Sequence, residues 1–151
     1  MASNAKTSAG SFLSISAELP ATHDVAGFGA ITAWTEVGEI TDIGEFGREY
    51  TLVTHNPLKD RRTVKRKGSF NDGSITLQMA RDVSDAGQAL LQTAQDDDNS
   101  YSIRVTLQDG TPLYTTAQVM SYKTTIGSVD AITSATTVLE IDNDIIEGTA
   151  P

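Results

Sequence analysis

The stretch Tyr101-Ser102-Ile103-Arg104-Val105-Thr106-Leu107-Gln108-Asp109-Gly110 decides the fold class of this 151-residue chain. Tyr101, Ile103, Val105 and Leu107 alternate with Ser102, Arg104, Thr106 and Gln108, the two-residue period of a strand with one buried face. Asp109-Gly110 then supplies the positive-φ positions that a tight hairpin turn demands. A return strand follows from Leu113 to about Lys123, with Pro112 at its head, where a missing N–H is tolerated.

Working outward, the same period recurs. Downstream, residues 126–134 read as a loop, and Thr137, Leu139 and Ile141 alternate with Val138, Glu140 and Asp142 in a final strand. Upstream, Asn71-Asp72-Gly73 is a turn, and Ile75, Leu77 and Met79 alternate with Ser74, Thr76 and Gln78. Near the start, Leu13, Ile15 and Ala17 oppose Ser14, Ser16 and Glu18, which predicts a half-buried strand over residues 11–18. Residues 23–33, with Gly27 and Gly29, read as a loop. Residues 34–47 space Val37, Ile40, Ile43 and Phe46 by three, yet Gly38, Gly44 and Gly47 each cost about 1 kcal/mol relative to Ala in a helix. Strands with a bend or bulge are expected there. One helix is predicted over residues 85–95, with Asp85 and Gln88 forming a capping-box variant and Ala86, Leu90 and Ala94 on one face. Asp96-Asp97-Asp98 should lie beyond its end, since carboxylates oppose the dipole there.

Charge is distributed unevenly. Lys59, Arg61, Arg62, Lys65, Arg66 and Lys67 hold six of the eleven basic residues. Less Asp60 this island carries +5, so the rest of a chain of net charge −9 carries −14. Around it, Tyr50, Leu52 and Val53 can extend a strand, Thr54-His55-Asn56-Pro57 breaks it, and a long mobile loop is expected over about residues 54–62. A cationic island on an anionic body suits a docking arm for the acidic surface of a neighbouring copy. Nucleic-acid binding is disfavoured, because few aromatics are available to stack bases and the body repels phosphates.

Chemistry-bearing patterns are sparse, and an enzyme is not expected. The absence of cysteine excludes disulfides and thiolate sites. His23 and His55 have no second His or Cys at ligand spacing and read as solvated loop residues. No G-x-S-x-G or S-x-x-K occurs. The pairs Glu36/Glu39 and Asp142/Asp144 lack an apolar setting that would split their pKa values. The three consecutive aspartates lack calcium-loop spacing, and Gly27-Phe28-Gly29 is too short for a phosphate fingerprint. No catalytic residue, metal site or cofactor is expected. No apolar run is long enough for a bilayer, so no membrane insertion is expected. Residues 1–10 read as a flexible arm rather than a signal peptide.

The ordered set of segments resembles the siphophage (lambda-like) tail tube protein family. The resemblance is carried by Trp34-Thr35-Glu36-Val37-Gly38-Glu39-Ile40-Thr41-Asp42-Ile43, by the polar basic region, and by Lys67-Gly68-Ser69-Phe70-Asn71-Asp72-Gly73-Ser74-Ile75-Thr76-Leu77. It continues through Asp85-Ala86-Gly87-Gln88-Ala89-Leu90-Leu91, the Asp109-Gly110 hairpin and Val138-Leu139-Glu140-Ile141-Asp142. It implies a mainly β fold of two packed antiparallel sheets, sandwich or barrel-like, with one flanking helix and a long inter-strand loop. It implies a tail tube domain over residues 11–147 with a basic stacking region over 48–72, an arm over 1–10 and a tail over 148–151, too short for the extra immunoglobulin-like domain of some relatives. It further implies homohexameric rings stacked helically into a hollow tube through which double-stranded DNA passes without specific binding. Tape measure, tail terminator and distal tail proteins are the implied partners, and the virion tail, after synthesis in the host cytoplasm, the implied location. On this reading Lys59, Arg61, Arg62, Lys65, Arg66 and Lys67 contact other subunits, Glu36, Glu39, Asp42 and Glu45 face the lumen, and the segments 1–10 and 143–151 lace neighbours. The alternatives are a monomeric β-sandwich binding module of a baseplate and the ring-forming tube protein of a contractile secretion system.

Overall fold

The computed structural model describes residues 3–150. Among them are ten strands and two helices, arranged as two antiparallel sheets of very unequal size. The larger sheet contains β1 (Phe12–Ser16), β2 (Thr35–Glu36), β3 (Ile40–Asp42), β6 (Ser74–Ala80), β7 (Tyr101–Thr106), β8 (Pro112–Thr125), β9 (Ser134–Ile141) and β10 (Ile146–Glu147). Its strand order is β2-β1-β7-β8-β9-β6-β3, with β10 paired to the start of β8. The smaller sheet is a hairpin of β4 (Glu49–His55) and β5 (Val64–Asn71).

The two ends of the strand path, β2 and β3, are only three residues apart in sequence. Residues 37–39 reach at most about 14 Å, so the sheet must curl until its edges nearly meet. Val37 bridges the seam: its N–H donates to the Leu13 carbonyl at 2.9 Å, while the Ala80 N–H donates to the Glu39 carbonyl at 2.9 Å. The curled interior holds Leu13, Ile15, Ile75, Leu77, Met79, Ile103, Val105, Val119, Leu139 and Ile141. The alternations that predicted strands are therefore the inward face of one near-barrel, and the fold is mainly β, as expected.

Helix α2 (Ala86–Gln95) closes the seam. Asp85 caps it, accepting from the Gln88 N–H at 2.9 Å, and the same carboxylate accepts from the Gly38 N–H at 3.0 Å. The helix ends at Gln95, with Asp96 as its C-cap and the other two aspartates beyond it, as the dipole argument requires. Two details differ from expectation. The Gln88 side chain does not return to Asp85 but spans the seam, and the buried stripe is Gly87, Gln88, Leu91 and Ala94. The reason is the closeness of the approach: a Cβ on Gly87 would lie 2.3 Å from the Glu36 carbonyl oxygen. Glycine is thus the contact point, and the stripe turns toward it.

Three further readings need correction. Residues 25–29, expected as loop, form the short helix α1 (Val25–Gly29), capped by Asp24. Gly27 is required there by space: a Cβ on it would lie 1.8 Å from the Thr22 carbonyl oxygen. The first strand is buried on both faces, Ser14 and Ser16 included. Its outer side belongs to the wall under α1, where Phe28 stacks on Tyr114 at 5.1 Å and Trp34 and Ile146 pack beside them. Finally, the segment read as a C-terminal lacing arm is strapped to its own chain through residue 148. Ile146 and Glu147 pair with Tyr114 and Leu113, and the Gly148 N–H donates to the Pro112 carbonyl at 2.8 Å.

Candidate functional site

Of the long loop expected over residues 54–62, only Thr54 and His55 are strand; the rest is the tip of a hairpin whose return strand was not expected. β4 and β5 pair from Glu49↔Asn71 to His55↔Val64, leaving residues 56–63 as the tip. A bulge beside Gly68 sets the faces: Tyr50 and Leu52 oppose Phe70 and Lys67, while Val53 opposes Arg66 on the other side. All seven residues of β4 are exposed, as are most of β5. Sequence reading missed the return strand because Val64-Lys65-Arg66-Lys67-Gly68 lacks an apolar alternation, and a strand exposed on both faces has no reason to show one.

The hairpin carries its own adhesive surface. The Tyr50 and Phe70 rings lie 5.5 Å apart. The Arg48 guanidinium sits 4.0 Å from the Phe70 ring centre and the Lys67 ammonium 4.7 Å from that of Tyr50. Such contacts contribute about 0.5–1 kcal/mol each at exposed sites. Leu52 is 62 % exposed and Leu58 wholly so. The island residues are all brought onto this one projection, Lys59, Arg61 and Arg62 at the tip and Lys65, Arg66 and Lys67 along β5. Apolar partners for the cations (Tyr50, Leu52, Leu58 and Phe70) complete the surface. Of these, the sequence showed Tyr50 and Leu52 as strand formers but not as exposed ones.

At the root, Arg48 clasps three segments. It donates to the Asp72 carboxylate at 3.1 Å and pairs with Asp144 of the C-terminal strap. The Tyr50 side chain, then the Asp72 carboxylate, hold Arg48 protonated even above its ordinary range. Gly47 and Gly73 flank the root with φ of 154° and 85°, conformations that favour glycine.

The other candidates scatter. Glu36, Glu39, Asp42 and Glu45 are exposed along the seam and its continuation. Asp42 accepts from the Gly44 N–H at 2.8 Å, and Glu39 has φ 61°, an uncommon conformation for a residue with a Cβ. His23, read as solvated, packs edge-on against Phe28 and contacts the Asp144 carbonyl at 2.6 Å. His55 lies exposed in β4. Asp142 accepts from Thr116 and Ser100, so the Asp142/Asp144 pair ties the strap down. Among the described residues, no three His, Cys, Asp or Glu side chains gather as a metal site, and no helix is long and apolar enough to cross a membrane.

The molecule is a near-barrel sealed by one helix, with a bare amphipathic hairpin projecting from it. The family described as phage tail tube protein, TTP, matches residues 5–146. The chain belongs to the phage tail tube protein family. It is thereby a structural protein of the phage tail. The fold is also similar to a chain in the six-fold symmetrised cryo-EM structure of the anti-feeding prophage (AFP) baseplate, with a TM-score of 0.72, 11% identity and 97% of each chain covered. At that identity the likeness is one of fold. No curated protein matches the chain in sequence.

Proposed function

We propose that this tail tube protein forms homohexameric rings that stack helically into a hollow tube, and that DNA passes through the tube to the host. The observation that carries this reading is the hairpin. A lone two-stranded hairpin is marginal in water, yet here it presents exposed Tyr50, Leu52 and Phe70 among cations on a chain that is anionic elsewhere. Such a surface is satisfied by a copy of the same protein. The baseplate structure that holds the chain of similar fold was symmetrised six-fold, which supports the ring order. Ring closure has edges to use. Among the described residues, β3 covers β6 only at Gln78 and Met79, so residues 74–77 have a strand neighbour on one side only, as do residues 118–125 of β8. Pairing such edges between copies removes a hazard that an isolated sheet leaves open.

In this reading residues 11–147 are the tube domain, residues 48–72 the stacking element, and 1–10 and 148–151 the flanking arm and tail. The six basic residues of the hairpin contact the adjacent ring. Glu36 and Glu39 face the lumen, where negative charge keeps DNA phosphates from sticking. Tape measure, terminator and distal tail proteins complete the tail, and the subunit is made in the host cytoplasm. Electron microscopy of concentrated protein, or of the native particle, tests the proposal: hollow stacked rings are expected. A chain that stays monomeric at every concentration, with no tube in the particle, would instead favour a baseplate binding module.

A further inference from the structure

We infer that the hairpin tip of one copy plugs a groove with one apolar side beside the β7–β8 turn of another copy's barrel, with Leu58 as the anchor. The inference rests on the stacking reading above and adds the receptor. The groove has a volume of about 540 Å³; Ile40, Ile43, Phe46, Val105, Leu107 and Leu113 form its apolar side, and the small and polar residues 8–11 with Thr41, Asp42 and Gly44 form the rest of its wall. Of the apolar residues, Leu107 is the most exposed, at 39 %. Asp42 lies in the wall and Glu45 between wall residues Gly44 and Phe46. Asp109 stands two residues from Leu107, held in its charged form chiefly by the Thr111 N–H. Lys6 lies near enough to Asp109 to lower its carboxyl further, so the rim is anionic on balance rather than throughout.

The tip is the complement in both respects. The Asp60 N–H donates to the Pro57 carbonyl at 3.3 Å, closing a turn with Leu58 and Lys59 at its corner. Asp60 also accepts from the Arg62 N–H at 3.3 Å. Leu58 is thus presented on a folded support, fully exposed, with Lys59, Arg61 and Arg62 around it. A desolvated anchor surrounded by polar contacts is the arrangement of an interface hot spot. Its own groove cannot be the receptor, because Leu58 is bare while the groove is open. The seven residues of β4 carry the tip about 23 Å from a root that adjoins Phe46. Tip and groove are different patches, so the contact is heterologous: it closes into a ring where its rotation closes and runs on where it does not. Made between rings, it lets stacking continue. Asp42 and Glu45, expected from sequence in the lumen, are assigned to the groove rim.

The natural chain has no cysteine, so cross-linking is clean. Full-length Leu58→Cys is mixed with full-length Leu107→Cys, assembled and oxidised, then run on a non-reducing gel. A covalent heterodimer is expected at about tenfold or more the yield of Leu58→Cys with Val129→Cys, since docking raises effective concentration. Tubes in the microscope with no cross-link above that control overturn the groove assignment and leave stacking intact. Absence of tubes from the unmodified protein overturns stacking and the groove together. If the cysteine variants misfold by circular dichroism, charge exchange decides. Arg61→Glu/Arg62→Glu and Asp42→Lys/Glu45→Lys should each abolish polymer scattering, and their combination in one chain should restore it. Loss without restoration overturns the inference.

Discussion

Gln88 is 2 % exposed, and its amide is engaged on both atoms. Nε2 donates to the Gly38 and Ala80 carbonyls at 3.1 and 2.9 Å, and Oε1 accepts from the Asp82 N–H at 2.9 Å and the Tyr122 hydroxyl at 3.1 Å. These partners sit on the seam, at the end of β6 and on β8, so one side chain pins the place where the sheet nearly closes. Gln88→Ala leaves several buried groups unpaired and should lower the unfolding free energy by about 2–4 kcal/mol in urea titration; a change within error would mean that the seam holds without it. Carboxylates at exposed turns set the acid limit. Asp24 is lowered chiefly by the Gly27 N–H, Asp82 by the Ser84 hydroxyl and Asp109 by the Thr111 N–H. Each folded value lies below the unfolded one, so their contribution is complete above the unfolded value and fades as pH falls through the folded ones. The melting temperature should stay level from neutrality down to about pH 5 and decline below about pH 4. Asp24→Asn, which keeps an acceptor for Gly27, should flatten part of that decline.

In the proposed tube, the hairpin is the element on which folding and assembly separate. It shares little with the core: β4 is exposed throughout, and the root is held by Arg48, Asp72 and Asp144. Reversing charge at Arg61, Arg62, Lys65 and Arg66 should therefore leave circular dichroism unchanged while suppressing polymerisation in light scattering. Scattering equal to the natural protein would dispose of the hairpin as a docking element. Trypsin offers a second view at the same scale. Lys59, Arg61 and Arg62 lie in the tip of the free subunit, where cleavage should be fast, and assembly should protect them. By contrast, α2 is the element that cannot be loosened. Gly87→Ala drives a methyl toward the Glu36 carbonyl, and the displaced helix should cost more than about 2 kcal/mol.

For the whole molecule, charge asymmetry couples to solvent. Attraction between a +5 island and a −14 remainder is screened once the Debye length, about 10 Å at 0.1 M salt, shrinks to a few ångströms. Raising salt from about 0.05 to about 0.5 M should increase the concentration needed for assembly by roughly tenfold, read by sedimentation. Independence from salt would make the apolar contacts sufficient alone. The β character, the Asp109-Gly110 hairpin, the helix with its Asp85 cap and the cationic island were all legible in the sequence. Each depends on neighbours within a few residues, and alternation, turn chemistry and capping are local. Only the tertiary structure decided that Ser14 and Ser16 are buried, that residues 25–29 are helical, and that Val64 to Asn71 is a strand. It also decided that the C-terminal segment straps its own chain. Those outcomes depend on what lies across the sheet or beneath a helix. The seam shows the reason best: Gly38, Gly87 and Gln88 look unrelated along the chain, and curling the sheet until its two edges meet is what gives each of them its role.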